Sequence, residues 1–152
     1  MAQALSNSAH AHIFLYDAER DERNLAASHW SAEQRSIQLQ PRRTGITYSV
    51  ARSGTPELIE DMSNHPAYAQ SPSEVRPGAL ACLPLVKANR VLGTLNLGYW
   101  EPPAFDPDAR GFLDLLAQQA TIAIDTARLY ASAMERAHLE RALQVRADCR
   151  RV

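Results

Sequence analysis

The sequence has few cysteines, no long apolar run and little net charge, and each of these excludes some classes of protein. It holds two cysteines, Cys82 and Cys149, which are far apart and fit no metal-ligand spacing, so we expect free thiols in a reducing compartment. There is no signal peptide and no apolar run long enough to span a bilayer, which predicts a cytoplasmic protein with no membrane contact. A net charge of −1 argues against a nucleic-acid partner.

Signatures of catalysis and of metal binding are also missing. The sequence has no nucleophile elbow, and it does not place two carboxylates together, so we predict no catalytic residue. The histidines do not follow a His-x-x-x-His spacing. His10 and His12 share one strand face, and we expect them to be exposed or hydrogen-bonded rather than metal ligands. We therefore predict no metal site, and no cofactor is identified.

A predicted hairpin within residues 80–100 forms the centre of the chain. Two apolar runs flank a polar turn, in which Asn89 can adopt the left-handed conformation that a tight turn requires. Pro84 cannot donate to a strand ladder, so we expect a sheet edge, a bulge or a neighbour that needs no donor near it. The two runs are Ala81–Val86 and Val91–Tyr99.

Shorter elements precede this hairpin. Alternation places His12, Phe14 and Tyr16 on one face of a first strand, and a charged turn then leads to a second strand. A short helix ends at Gly54. In chain order, we predict a frayed end or truncated helix at 1–9, strands at 10–17 and 24–30, a short helical turn within 31–43, a helix at 46–52, a strand at 57–61 and an irregular connection at 62–78.

The C-terminal third predicts one long helix. Asp106 is suited to the N-cap and Pro107 to the first helical position, and no glycine or proline follows Gly111. A helix that reaches about Ala147 would be about 60 Å long, against a radius of gyration near ~14 Å for a domain of that size. We therefore expect the helix to project from the domain.

A heptad seam on this helix predicts self-association. Its members are spaced alternately by three and four residues, as in a coiled coil, and the seam fails at Arg141 and Gln144. Ile122, Leu129 and other apolar residues lie off it. The alternative is a helix packed only within its own domain. The seam consists of Leu113, Leu116, Ala120, Ala123, Ala127, Tyr130, Met134 and Ala137.

The ordered motifs resemble those of the GAF domain family. Gly45, Val50, Gly54 and Pro56 follow the family's "Gly-x-x-x-x-Val-x-x-x-Gly-x-Pro" run. The hairpin is similar to its "small-apolar-x-x-Pro-Leu" and "x-Val-x-Gly-x-Leu-x-Leu" strands. The other matching segments are Ala11–Asp17, Ile59–Asp61, Arg76, Ala79–Leu80, Phe105 and 108–130. The sequence departs from the family in lacking the N-terminal helix and in carrying the bulky Tyr48 where a small residue is usual.

The resemblance implies an α+β fold with an antiparallel sheet in the order 2-1-5-4-3. It implies helices on one face of the sheet and a ligand pocket on the other, under the connection between the third and fourth strands. We expect a GAF-like domain at 10–130 and a signalling and dimerisation helix at 131–152. Strand alternation and the family topology together predict these pocket residues: Phe14, Tyr16, Tyr48, Asp61, His65, Tyr68, Cys82, Thr94 and Asn96.

By resemblance, the function is that of a sensory module in a signal-transduction protein such as a histidine kinase. It would bind an unidentified small molecule and relay the signal through the C-terminal helix, as a homodimer, to a fused output domain outside this sequence. One alternative is a ligand-free dimerisation module. A free methionine sulfoxide reductase is a further alternative, for which Cys82 lacks a nearby resolving cysteine.

Overall fold

The computed structural model describes residues 8–30, 42–67, 78–101 and 105–149. Within them, the chain divides between Thr121 and Ile122 into two compact units. The elements in chain order are β1 (Ser8–Asp17), β2 (Glu22–Trp30), α1 (Ile46–Ser53), β3 (Glu57–Ile59), a 3-10 turn (Met62–Asn64), β4 (Ala79–Lys87), β5 (Arg90–Tyr99) and α2 (Pro107–Cys149).

The five strands form one antiparallel sheet in the order β2-β1-β5-β4-β3, which confirms the predicted topology. β5 lies at the centre, paired with β1 on one side and β4 on the other. The N-terminal and central hairpins are therefore joined through β5, whose every residue from Leu92 to Tyr99 is buried.

The central hairpin has the turn and the proline environment that its sequence predicts. Ala88 and Asn89 both have positive φ, 49° and 60°, as a tight two-residue turn requires. Pro84 pairs with Thr94 of β5, while β3 pairs with β4 only from Leu80 to Cys82. Pro84 therefore lies beyond the short edge strand, where its missing N–H leaves no ladder bond unmade.

The two faces of the sheet differ in chemistry because β5 alternates polar and apolar side chains. Thr94 and Asn96 point to one face, here called the polar face, and Leu95 and Leu97 point to the other, the leucine face. The leucine face is completed by Leu83 and Leu85 of β4, which are 2% and 0% exposed.

The first turns of α2 lie on the leucine face. The Phe105 ring packs edge-on against Tyr99 at 6.0 Å between ring centres, and Leu113 is 1% exposed. Asp106 caps the helix as predicted, because its Oδ1 accepts from the Ala109 amide at 2.8 Å. Burial of a side chain such as Leu113 contributes about 1.5–3 kcal/mol.

Helix α1 covers the polar face, so the sheet is covered on both sides. The Thr47 hydroxyl on α1 accepts a hydrogen bond from the Asn96 side chain on β5. The helix ends at Gly54, which forms the predicted C-cap. Its φ is 66°, and its backbone amide donates a hydrogen bond to the Val50 carbonyl. The resemblance implies helices on one face of the sheet. In the structure α2 begins on the leucine face, and the short α1 lies on the polar face.

Several predicted boundaries were wrong. β3 ends at Ile59 rather than Asp61, because the Asp61 carboxylate caps the following 3-10 turn by accepting from the Ser63 amide. Ser8 and Ala9 belong to β1, not to a frayed end. β2 begins at Glu22 instead of residue 24. The predictions for residues 1–7, 31–41 and 68–77 lie outside the described residues.

The second unit consists of the later part of α2. From Leu129 onward, each side chain that is described is exposed, including Tyr130 at 69% and Met134 at 46%. Large aliphatic side chains off the predicted seam are exposed as well, namely Ile122, Leu129, Leu139 and Leu143. In the described ranges, neither helix offers an apolar stretch of membrane-spanning length.

Candidate functional site

The polar face beneath α1 is the candidate site. Cross-strand register brings His12 of β1 and Cys82 of β4 to either side of Asn96 on β5. Thr94 lies one pair further along, opposite Phe14. All five side chains are at most 7% exposed. Polar groups are therefore buried at the centre of the sheet, where aliphatic side chains would pack at no cost in hydrogen bonding.

Asn96 connects three elements through its amide group. The Cys82 thiol donates to its Oδ1 at 3.1 Å, and its Nδ2 donates to the Thr47 hydroxyl at 2.7 Å. One side chain thus links β4, β5 and α1 within the buried layer. This bridge positions the first turn of α1 over the polar face.

The chemistry of Cys82 follows from its burial. The side chain is 0% exposed, and burial, with a smaller contribution from Glu57, raises the pKa of the thiol, while Arg23 opposes the shift. Since the thiolate is the nucleophilic form, Cys82 is an unreactive thiol at neutral pH. The other cysteine, Cys149, is exposed on α2 in the second unit.

Arg23 adds a cation to this face. It lies on β2 opposite Tyr16, and its guanidinium carbon is 4.1 Å from the centre of the Tyr48 ring and 4.6 Å from that of Phe14. Burial lowers the pKa of Arg23, and contact with Tyr48 opposes that shift. The guanidinium stays protonated, because an arginine pKa remains far above neutral pH.

Asp21, in the turn between β1 and β2, anchors α1 from the other end. The Arg52 Nε and Nη2 atoms donate to its two carboxylate oxygens at 3.0 and 2.6 Å, and the Tyr16 hydroxyl donates at 2.8 Å. These hydrogen bonds, that from Arg52 first, lower the pKa of Asp21 to about 2. The arrangement fixes Tyr16 and the last turn of α1 to one carboxylate.

The two histidines at the start of β1 are buried rather than exposed. His10 and His12 are 4% and 3% exposed, and their ring centres are 5.0 Å apart. Burial lowers both pKa values to about 4, and His12 adds to the shift at His10. Both rings are therefore neutral at pH 7. Among the residues that the structure describes, no group of three or more His, Cys, Asp or Glu side chains could hold a metal ion.

Most of the predicted pocket residues converge in this region. Two of them take no part in its contacts: Asp61 is exposed and accepts from Ser63 and Asn64, and the His65 ring accepts from the Ala67 amide. Tyr68 lies outside the described residues. The structure brings together Phe14, Tyr16, Tyr48, Cys82, Thr94 and Asn96.

Sequence reasoning missed four residues of the site, namely His12, Arg23, Thr47 and Asp21. His12 was placed on the correct strand face but not among the pocket residues. Arg23 and Asp21 lie in the stretch before residue 24 that the sequence predicts as a charged turn. An available signal was the pairing of Arg23 with Tyr16, which follows once β2 is begun at Glu22.

Comparison with known proteins identifies the family. A family model described as the GAF domain matches residues 1–125, and the chain belongs to the GAF domain family. This is a sensory and regulatory fold found in signalling proteins. No curated protein matches the chain.

Solved structures show the same fold at low sequence identity. The chain is similar to the GAF domain of a phosphoenolpyruvate-protein phosphotransferase from Acinetobacter, with 23% identity, a TM-score of 0.64 and coverage of 83% of this chain and 77% of that one. A methyl-accepting chemotaxis protein matches with 16% identity and a TM-score of 0.62, over 80% of each chain. A free methionine-R-sulfoxide reductase from Neisseria meningitidis matches with 22% identity and a TM-score of 0.56, over 73% of this chain and 64% of that one.

Proposed function

We propose that this protein is a sensory GAF module that binds a small molecule at the polar face and relays binding through α2. The family and the fold are those of regulatory domains, with relatives in a phosphotransferase and a chemotaxis protein. In this proposal the module acts in the cytoplasm, as a homodimer fused to an output domain. Residues 131–152 form the signalling helix of the dimer.

The contrast between the two sheet faces carries this proposal. The leucine face is filled by leucines, whereas the polar face buries an amide, a thiol, a threonine hydroxyl and a guanidinium under α1. Burial of a polar group costs about 1–3 kcal/mol unless it is hydrogen-bonded. A face that only had to pack a short helix would be better stabilised by leucines. Binding of a polar ligand is a physical reason to retain these groups.

Relay through α2 requires a difference in ligand affinity between two arrangements of the helix pair. Since α2 runs from the leucine face into the second unit, it is the element that connects the sensory domain to residues C-terminal to it. The exposed seam residues, such as Tyr130 and Met134, support self-association of this part.

A role without catalysis fits the buried thiol better than the reductase alternative. A reductase of this kind would need a thiolate and a second thiol to resolve the oxidised intermediate. Cys82 is fully buried with a raised pKa, and Cys149 is exposed in the other unit. We therefore expect Cys82→Ser to leave ligand binding within about threefold of wild type, since a serine hydroxyl can still donate to Asn96. Thiol-dependent sulfoxide reduction that Cys82→Ser abolishes would instead establish the reductase.

Native mass spectrometry of the protein purified without added ligand tests the proposal. A bound small molecule of fixed mass is expected, lost in Asn96→Leu and kept in Leu97→Met. These two substitutions are at adjacent positions on β5 and lie on opposite faces, so a general loss of stability would affect both. If no bound mass is seen and no small molecule in a screen raises the melting temperature, the sensory proposal fails in favour of a ligand-free dimerisation module.

A further inference from the structure

Arg23 is a half-buried cation for which the described residues supply no carboxylate. Its guanidinium carbon lies over the Phe14 and Tyr48 rings, at 4.6 and 4.1 Å from their centres. Its Nε and Nη1 atoms are buried, and within residues 8–30, 42–67, 78–101 and 105–149 they have no hydrogen-bond partner. None of the ion pairs found in those ranges includes Arg23.

Arg52, which contacts the same tyrosine, is an arginine whose charge is neutralised by a carboxylate. Its guanidinium carbon lies 5.0 Å from the centre of the same Tyr48 ring, and it also holds both oxygens of Asp21. Two arginines thus contact one tyrosine, and of these two only Arg52 has a carboxylate partner among the described residues. Contact with an aromatic ring stabilises a cation by less than the cost of removing an unpaired charge from water.

A second polar group without a hydrogen-bond partner among the described residues lies beside Phe14. Thr94 is the cross-strand neighbour of Phe14, it is 0% exposed, and its Oγ1 has no hydrogen-bond partner among the described residues. A threonine hydroxyl can donate one hydrogen bond. Arg23 hydrogen-bonds the Tyr48 side chain, but its Nε and Nη1 atoms and the Thr94 hydroxyl present donors on either side of Phe14 that no acceptor among the described residues uses.

We infer that Arg23 and Thr94 recognise the anionic group, a carboxylate or a phosphate, of the small molecule that the polar face binds. This assignment rests on the proposed sensory function and adds the charge of the ligand to it. The Phe14 and Tyr48 rings, which flank the guanidinium, contact the carbon skeleton next to the anion. Hydrogen bonds between an anion and a guanidinium are among the stronger ones in proteins, which suits Arg23 to this role.

Nuclear magnetic resonance of the full chain reads this contact directly. The Nε–H signal of Arg23, assigned by its absence in Arg23→Lys, is followed during titration with sodium acetate, with inorganic phosphate and with acetamide at constant ionic strength. A saturable shift is expected with at least one of the two anions and none with the neutral acetamide. Whether acetate or phosphate produces the shift tells a carboxylate ligand from a phosphate ligand.

Matched variants then test which groups bind the anion. Arg23→Met is expected to weaken anion binding about tenfold or more, whereas Arg90→Met, which removes an exposed arginine at the tip of the central hairpin, leaves it unchanged. Thr94→Val keeps the side-chain shape without the hydroxyl and is expected to weaken binding about two- to tenfold. Thr94→Val also provides the test if Arg23→Met does not fold.

Three results would overturn the inference. The first is anion binding that neither Arg23→Met nor Thr94→Val weakens, and the second is the absence of any saturable shift with both anions. The third is a neutral molecule bound to the purified protein, which would leave the sensory proposal standing and remove only the anion assignment. Absence of every bound molecule, neutral or charged, would instead remove both.

Discussion

At the scale of single residues, Asp21 is the carboxylate that pairs with Arg52 at the last turn of α1. Asp21 accepts three hydrogen bonds from two residues, so the ionised form of its carboxyl is strongly favoured. Its φ of 51° lies in the left-handed region, which asparagine adopts more readily than most residues. Asp21→Asn therefore removes the charge with little change in backbone strain.

Asp21→Asn is expected to lower the urea midpoint at pH 7 and to make it less dependent on pH in acid. Because the folded-state pKa of Asp21 is about 2, against an ordinary value of 3.8, its contribution is present above pH 4 and lost as pH falls toward 2. Denaturation of wild type and variant between pH 7 and 2 measures this, with exposed Asp114→Asn as control. A difference that stays constant down to pH 2 would contradict it.

The buried histidines predict a second, separate pH window. Their folded-state pKa values are about 4, below the ordinary value of 6.5, so between these limits the unfolded chain binds protons that the folded chain does not. Stability is therefore expected to fall as pH drops from about 6.5 to 4, with an uptake on unfolding of about one proton for each histidine.

His12→Gln is expected to remove about half of that proton uptake, while His29→Gln, at an exposed position, leaves it unchanged. The slope of unfolding free energy against pH, from urea denaturation at several pH values, gives the number of protons. An unchanged slope in His12→Gln would show that the buried rings do not titrate between those limits.

How far the site could be predicted is clearest for single residues of β1, β2 and β5. Thr94 and Asn96 follow from alternation in one strand, because a two-residue period places both on one face. Arg23 does not, since its role depends on its pairing with Tyr16 across the hairpin and on the Tyr48 ring that α1 places over it. Cross-strand register is set by tertiary pairing, and a local pattern does not contain it.

At the scale of elements, α1 is held to the sheet by few but specific contacts. The Asn96–Thr47 hydrogen bond fixes its first turn and the Asp21–Arg52 ion pair its last. The helix has only eight residues, and helices shorter than about 12 residues are marginal in isolation. Its stability therefore comes from docking onto the polar face.

A double-mutant cycle measures that docking. Asn96→Ala leaves the Thr47 hydroxyl and the Cys82 thiol without their partner and is expected to cost about 1–3 kcal/mol, and Thr47→Val about 0.5–1.5 kcal/mol. Together they should fall short of additivity by about 1 kcal/mol, because they remove the same bond. Leu97→Ala with Thr47→Val is the control pair and should be additive, since the two residues lie on opposite faces. Additivity in both pairs would mean that the bridge does not hold α1.

Most of the elements were predictable because residues typical of caps and turns mark where they begin and end. Gly54 ends α1, Asn89 forms the hairpin turn and Asp106 starts α2 in the structure as in the sequence. β3 was overextended because Asp61, read as a strand residue, caps the next turn. A side chain that can serve either a strand or a cap is assigned by its surroundings, which the local sequence does not specify.

At the scale of the whole molecule, the proposed homodimer depends on the later part of α2. Two neighbouring residues separate two possible contact surfaces. Tyr130 belongs to the predicted heptad seam, and Leu129 belongs to a stripe of exposed aliphatic residues that includes Ile122 and Leu143. Both side chains are more than 60% exposed.

Tyr130→Glu is expected to weaken dimerisation about tenfold or more, because it places a charge in the predicted seam, whereas Leu129→Glu leaves it unchanged. Light scattering after size-exclusion chromatography over a range of protein concentrations measures both. The reverse result would assign the contact to the aliphatic stripe. A monomeric wild type would remove the dimer from the proposal.

The difference between the two faces of the sheet also sets how freely the sequence can change. On the leucine face, exchanges among Leu, Ile and Met that conserve volume cost less than about 1.5 kcal/mol, so many combinations fill the same space. On the polar face, Asn96 is specified by the thiol that donates to it and the hydroxyl that accepts from it. Substitutional drift should therefore preserve only residue class at positions such as Leu83 and Leu95, while Asn96 tolerates almost no replacement. Saturation mutagenesis of β5 would then show an intolerant position at Asn96 between permissive ones at Leu95 and Leu97.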